Sequence, residues 1–236
     1  MLDLNKLSSQ IRHASLDIRQ EVNASSQRQK YALQVWSKAI QADHTLVQKL
    51  LEAPEELPLF MARPLESLGE TFPLPDIPLP HTVIATDGSQ ITPSHHEVSS
   101  CYLINIGKIA YFYGTGEHPI QESEPFLYYR EKDLYTQFKR QTVSISENLI
   151  GVERTLMEGS ELVELSEIVA TKNYPTVAMM DGSLLSLYMD AQTMPSELQE
   201  KILKRALGNL NRMKELNTPV CGYISHSRRH EVIEFL

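Results

Sequence analysis

Two aspartates stand in nearly repeated contexts: Asp87 in Thr82-Val83-Ile84-Ala85-Thr86-Asp87-Gly88-Ser89, and Asp181 in Thr176-Val177-Ala178-Met179-Met180-Asp181-Gly182-Ser183. Each follows a short β-branched, apolar run and precedes a glycine. Such a run reads as a buried strand, and Asp-Gly reads as the turn that ends it. An acid there lies at a strand's carboxyl end, where α/β sheets gather their chemistry. Two of them imply a pair of carboxylates at one edge of one sheet. The plain alternative is two ordinary strand-ending turns. Two carboxylates rarely suffice for Mg2+ or Mn2+, hard cations that take oxygen ligands and keep some water. The glutamate-rich stretch before the second run is the natural source of a third. Glu158 is preferred, because Arg154 lies one helical turn earlier on the same face, near enough to steady its carboxylate. Glu161 is the runner-up, and Glu164 and Glu167 fall later; for most of these a solvated helix face is the expected state.

The elements that must carry these acids read as follows. Residues 1–53 form an N-terminal helical arm with two apolar stripes, Leu4, Leu7, Ile11, Ala14, Ile18 and Val22, then Leu33, Trp36, Ile40, Val47 and Leu51. The arm could serve dimerisation or cover its own core, with even weight on pattern alone. Residues 54–81 are a proline-rich connector, stiff and extended. Residues 82–236 form the core. A strand at 82–87 ends at Asp-Gly-Ser. A second strand runs from Val98 to Ile106, reverses at Asn105-Ile106-Gly107-Lys108, and returns as a third from Ile109 to Tyr113. A capping box at Ser144-Ile145-Ser146-Glu147 opens a helix. The strand 176–181 follows. A second capping box at Pro195-Ser196-Glu197-Leu198-Gln199 opens a helix to about Leu216, and Val220 to Ser225 is the last strand.

The order β-β-β-α-β-α-β, behind a helical arm, is that of an α/β, ribonuclease H-like mixed sheet. There the first strand is central and parallel to the fourth. Adjacent strands lie about 4.8 Å apart, so Asp87 and Asp181 would project side by side. Two-metal phosphodiester chemistry uses cations about 3.5–4 Å apart, and the two spacings are compatible.

Composition excludes little. The net charge of −8 argues against a general polyanion-binding surface, but divalent metals can supply the positive charge an acidic phosphodiester site needs. No apolar run reaches the roughly 18 residues of a membrane span. The N-terminus does not read as a signal peptide, and the expected compartment is the cytoplasm. Cys101 and Cys221, each in a predicted strand, read as buried free thiols without metal spacing.

Several side chains carry weaker alternatives. His95 and His96 could contact metal or phosphate, although an exposed loop pair is the favoured state. Arg228 and Arg229 could hold nucleic-acid phosphates, against a plain surface basic pair. Ser89 and Ser183 read as turn residues rather than nucleophiles, since neither lies in Gly-x-Ser-x-Gly. Tyr128, Tyr129 and Tyr135 could stack on bases, or simply pack.

Taken together, Thr86-Asp87-Gly88-Ser89-Gln90, the Arg154 to Glu158 pair on a helix, Met180-Asp181-Gly182-Ser183-Leu184 and the strand Gly222-Tyr223-Ile224-Ser225 resemble the NurA nucleases over roughly residues 80 to 230. The resemblance implies a manganese-dependent deoxyribonuclease, with Mg2+ as the alternative ion. It further implies single-strand endonuclease and 5′-to-3′ exonuclease activities, and homodimers acting beside the hexameric ATPase HerA in processing DNA double-strand breaks. By matching positions, Asp87, Glu158 and Asp181 would be the catalytic metal ligands. Family members continue past the last strand with a segment that adds a histidine or acid to the site, whereas this chain ends at Leu236. The expectation is a shortened form, with His226 or His230 as the alternative substitute. The rival function is therefore a catalytically weak or inactive assembly subunit that binds DNA or the ATPase. A haloacid-dehalogenase-type phosphatase would need a nucleophilic aspartate two residues before each acid, where Ala85 and Met179 stand.

Overall fold

The computed structural model describes residues 4–42, 52, 65–93, 101–138, 141–185, 187 and 194–225. The chain divides into two compact units, Asp76–Ser227 and Met1–Pro75 with Arg228–Leu236.

In the first unit, a five-stranded mixed sheet is built around β1 (His81–Ile91). Antiparallel to it runs β2 (Tyr102–Tyr113), and β3 (Ile120–Tyr128) is antiparallel to β2. On the other side of β1 lie β6 (Thr176–Asp181) and β7 (Val220–Tyr223), both parallel, so the order is β3-β2-β1-β6-β7. Between β3 and β6 come a one-turn helix α2 (Glu131–Leu134), a small hairpin of β4 (Tyr135–Phe138) and β5 (Gln141–Ser144), and the long α3 (Glu147–Ala170); α4 (Ser196–Glu215) joins β6 to β7. The central first strand, parallel to the strand after α3, makes this the ribonuclease H-like arrangement expected from the sequence.

Alternation places the core. Thr82, Ile84 and Thr86 of β1 and Tyr102, Ile104, Ile106, Lys108, Ala110 and Phe112 of β2 are buried, on one face. Onto that face α3 lays Ile150, Leu162, Leu165 and Val169, and α4 adds Met213. Pro125 sits in β3, an edge strand, where proline is tolerated, and Glu122 and Glu124 keep that edge polar.

The structure corrects several boundaries. β1 does not stop at Asp87: Gly88 and Ser89 remain in the strand, opposite Ile106 and Asn105. The expected reversal at Asn105–Lys108 is absent, and β2 runs straight through Gly107. The turn comes instead at Gly114-Thr115-Gly116, whose two glycines have φ of 76° and 73°, the left-handed region that glycine enters without steric cost. The third strand is thus Ile120–Tyr128, a stretch too polar to read as one. The main sheet has the five strands expected, but only because β2 reads as two strands while β3 goes unread, and the hairpin β4–β5 adds two strands that the sequence did not suggest.

Ser146, not Ser144, caps α3, accepting from the Leu149 N–H at 3.2 Å; Ser144 ends β5. At α4 no side-chain capping bond forms. Pro195 is the capping residue, and its carbonyl accepts from Leu198 and Gln199 N–H groups at 2.9 Å. The last strand closes at Tyr223. Neither cysteine is buried: Cys101 precedes β2 and is half-buried, while Cys221 is exposed, and both are free thiols.

In the second unit, α1 (Leu4–Gln41) is a single helix of 38 residues. Ile11, Ile18, Val22, Tyr31 and Leu33 stand exposed along it, while Ala39 is buried. Residues 43–51 and much of the connector lie outside the described residues. No helix among the described residues is long and apolar enough to cross a membrane.

Candidate active site

Register brings the two aspartates together. Thr86 pairs with Met180 in the parallel β1–β6 ladder, so Asp87 and Asp181 follow at the same level on neighbouring strands. Both are exposed. Their shared Asp-Gly-Ser spelling is served by different backbones. Gly182 has φ 86° and its N–H donates to the Tyr223 carbonyl at 2.7 Å. The Ser183 hydroxyl accepts from the Leu185 N–H at 3.2 Å. The second motif is therefore the turn that the sequence implied.

Gly88 stays in a strand and serves another purpose. A methyl group there would lie 2.5 Å from Glu158 Oε1 and 2.7 Å from Arg154 Cγ. The missing side chain lets α3 approach β1 closely at Glu158 and Arg154. The grip is tightened by Thr86, whose hydroxyl donates to the Glu158 carbonyl at 2.9 Å.

Glu158 is mostly buried, its side chain 12% exposed. Burial pushes its carboxyl up to about 6, and the charges of Asp87 and Asp181 push the same way. The Arg154 guanidinium and the Gly88 N–H, which donates to the carboxylate, oppose the rise. Arg154 Nε lies 3.2 Å from Glu158 Oε1, but off the line of a hydrogen bond, and has no hydrogen-bond partner. Three carboxylates thus share one neighbourhood with more negative charge than Arg154 neutralises.

Glu161, the runner-up, faces elsewhere: its Oε2 accepts from Lys108 Nζ at 2.7 Å. Glu167 is engaged by Arg212 at 2.7 Å, near the far end of α3, and Glu164 is exposed. Tyr128 packs rather than awaiting a base, stacked on Tyr102 with centroids 4.5 Å apart and its hydroxyl 3.4 Å from Met157 Sδ. Tyr129 and Tyr135 are exposed. His95, His96, His226, Arg228, Arg229 and His230 lie outside the described residues.

Sequence reasoning missed Lys108, having placed it in a turn. With β2 unbroken, its even-numbered position among Ile104, Ile106, Ala110 and Phe112 marks it as facing the core. A groove beside Asp87 is lined by residues of β1, β2 and β3, among them Ser89, Asn105, Gly107, Gln121, Glu122 and Ser123.

A mixed sheet of this order, with acids at one level of its central parallel pair and a third on the covering helix, defines a ribonuclease H-like domain. The model of the NurA domain matches residues 81–236, and the chain belongs to that family. Among solved structures, the chain is similar to the NurA nuclease of Sulfolobus solfataricus at 10% identity and a TM-score of 0.37, covering 84% of this chain and 58% of that one. It is also similar to LC9-RNase H1, described as a type 1 RNase H with the type 2 active-site motif (10% identity, TM-score 0.31, 68% and 70% covered). A third is RNase H1 of the halophilic archaeon Halobacterium salinarum (8% identity, TM-score 0.28, 61% and 86% covered). No curated protein matches the chain. The chain spans a little over half the length of the Sulfolobus nuclease.

Among the described residues, no three His, Cys, Asp or Glu side chains converge closely enough to hold a metal ion as they stand. The donor set nevertheless fits one chemically. All three groups are carboxylates, the ligands hard divalent cations prefer, and the Glu158 carboxyl, raised chiefly by burial and further by the charges of Asp87 and Asp181, has only Arg154 as a cation beside it.

Proposed function

We propose that this protein is a metal-dependent deoxyribonuclease that hydrolyses phosphodiesters at Asp87, Asp181 and Glu158, with Mn2+ as the working ion and Mg2+ as the alternative. The single observation that carries this is the placement of the three acids: the β1–β6 register sets Asp87 and Asp181 at one level, and Thr86 holds Glu158 of α3 against β1. Membership of the NurA domain family supports it. The three carboxylates would hold the metal, which when bound supplies a polarised phosphoryl oxygen and an activated water.

The rest is the work of the chain's own residues. Thr86 fixes the height of Glu158 on the sheet, and the Gly88 N–H and Arg154 orient its carboxylate. The groove beside Asp87 would offer a single strand hydrogen-bonding groups in Ser89, Asn105, Gln121 and Ser123, with Lys108 and Glu122 also in its lining. Arg228 and Arg229 would contact phosphates. Single-strand endonuclease and 5′-to-3′ exonuclease activity in double-strand break processing, a HerA-type ATPase partner, a homodimer and a cytoplasmic setting complete the reading. The exposed apolar residues of α1 are the surface on which such a dimer would form.

A second reading, an assembly subunit that cuts weakly, is favoured by one observation: the acids do not stand at metal-binding distances. Incubating the purified chain with single-stranded DNA and Mn2+, beside Asp87→Ala and Asp181→Ala, decides between them. Cleavage that needs metal and both aspartates is expected. No cleavage, or equal cleavage by the variants, removes the nuclease reading.

A further inference from the structure

Lys108 is a buried cation in a strand of otherwise apolar inward residues, 7% exposed. Burying a charge is costly unless it is paired and hydrogen-bonded. Its Nζ donates to Glu161 Oε2 at 2.7 Å and lies 3.6 Å from Glu124 Oε2, with the Glu161 side chain only 14% exposed. Burial alone would lower the affinity of this ammonium for its proton. The hydrogen bond to Glu161 and the charges of Glu161, Glu164 and Glu124 outweigh it, and Lys108 is raised above the ordinary lysine value.

The location gives the pair its consequence. Lys108 is opposite Thr86 in the β1–β2 register, and Thr86 already holds the Glu158 carbonyl. Adjacent strands therefore grip α3 at two points three residues apart, which on a helix is one turn. Glu158 belongs to the upper grip and Glu161 to the lower.

We propose that Lys108 is a positioning residue for the acidic site: by engaging Glu161 it sets α3 over β1 and keeps Glu161 out of the metal's ligand set, leaving Glu158 as the helix ligand. This rests on the reading that Asp87, Asp181 and Glu158 bind a divalent cation.

The test measures Mn2+ binding to the full chain without DNA, following free Mn2+ by electron paramagnetic resonance, with a thermal melt of each variant. Wild type should bind Mn2+ and Asp87→Ala should not. Lys108→Met leaves a buried carboxylate unpaired one turn from Glu158, and its affinity should fall about tenfold, the scale of an outer partner's loss. Glu161→Gln retains an oxygen for Nζ and should stay within about threefold of wild type, a shift below the outer-partner scale. Lys108→Met/Glu161→Met removes both charges together and should recover most of the loss.

A folded Lys108→Met that binds like wild type overturns the positioning role. So does a double variant as weak as Lys108→Met. A Glu161→Gln that loses Mn2+ as fully as Asp87→Ala makes Glu161 a ligand and overturns it too, and this arm holds even where Lys108→Met fails to fold. Wild-type binding that does not depend on Asp87 instead removes the metal reading beneath the proposal, an outcome distinct from the others.

Discussion

The Gly88 N–H donates to the Glu158 carboxylate, and a methyl group added at Gly88 would come within 2.5 Å of Glu158 Oε1. The atoms such a methyl meets first, Glu158 Oε1 and Arg154 Cγ and Cδ, belong to long, flexible side chains rather than to backbone. Gly88→Ala should therefore displace Glu158 without unfolding the sheet. Stability should change by less than about 1 kcal/mol, since alanine is also the better strand residue. Metal-dependent cleavage should fall on the order of a hundredfold, as for small misplacements of reacting groups. Melting and cleavage measured on the same preparation check this; a proportionate loss of both would show that Gly88 is needed for folding alone.

Gly222 offers the contrast. Its added methyl would lie 2.6 Å from the Gly182 carbonyl oxygen and 3.2 Å from the Leu184 N, atoms of a backbone that cannot swing away. Gly222→Ala should force β7 from β6 beside Asp181 and cost about 1–3 kcal/mol, the usual range for overpacking. Chemical denaturation should show the loss directly, and a melting curve identical to wild type would contradict it.

Glu158 links the site to stability. Its folded value is about 6 against an ordinary 4.5, so between these values the folded protein binds more protons than the unfolded. Stability then falls as pH rises through that window and stays lower above it. At about 1.4 kcal/mol per unit the full cost is roughly 2 kcal/mol. Without metal, Glu158→Gln should be more stable than wild type by about 1–2 kcal/mol at neutral pH, and the gap should close below the ordinary carboxyl value. Urea midpoints across that range measure it. A gap independent of pH, or of opposite sign, would refute the assignment.

The sequence carried the two aspartates, the helix glutamate and the strand order, because each rests on a local pattern: an apolar run, a glycine, an Arg–Glu spacing. What it concealed were the reasons for the glycines. Gly88, Gly107 and Gly182 look alike in sequence, yet only Gly182 makes a turn. Gly88 makes room for a helix that arrives some 70 residues later, and Gly107 lies within the straight run of β2, lining the groove. Such long-range approaches leave no local trace. β3 was hidden for a related reason: an edge strand packed on one neighbour can be polar at most positions, so Ile120–Tyr128 shows little alternation. Lys108 followed from the same error, since a break at Gly107 moved a core-facing residue into a supposed turn.

Arg154 should govern where Glu158 titrates. It is the strongest influence holding the carboxyl down, exceeded in size only by the opposing burial, and its side chain is about one-third exposed while its Nε is buried. Arg154→Met should therefore move the Glu158 carboxyl further above about 6, because burial and the charges of Asp87 and Asp181 are left with only the Gly88 N–H against them. The consequence is testable by comparing Arg154→Met with Arg154→Met/Glu158→Gln in urea without metal. Their stabilities should part at a higher pH than those of wild type and Glu158→Gln, and the final gap should be wider. If both pairs part at the same pH, Arg154 serves the outer surface of α3 and has no hold on the acid.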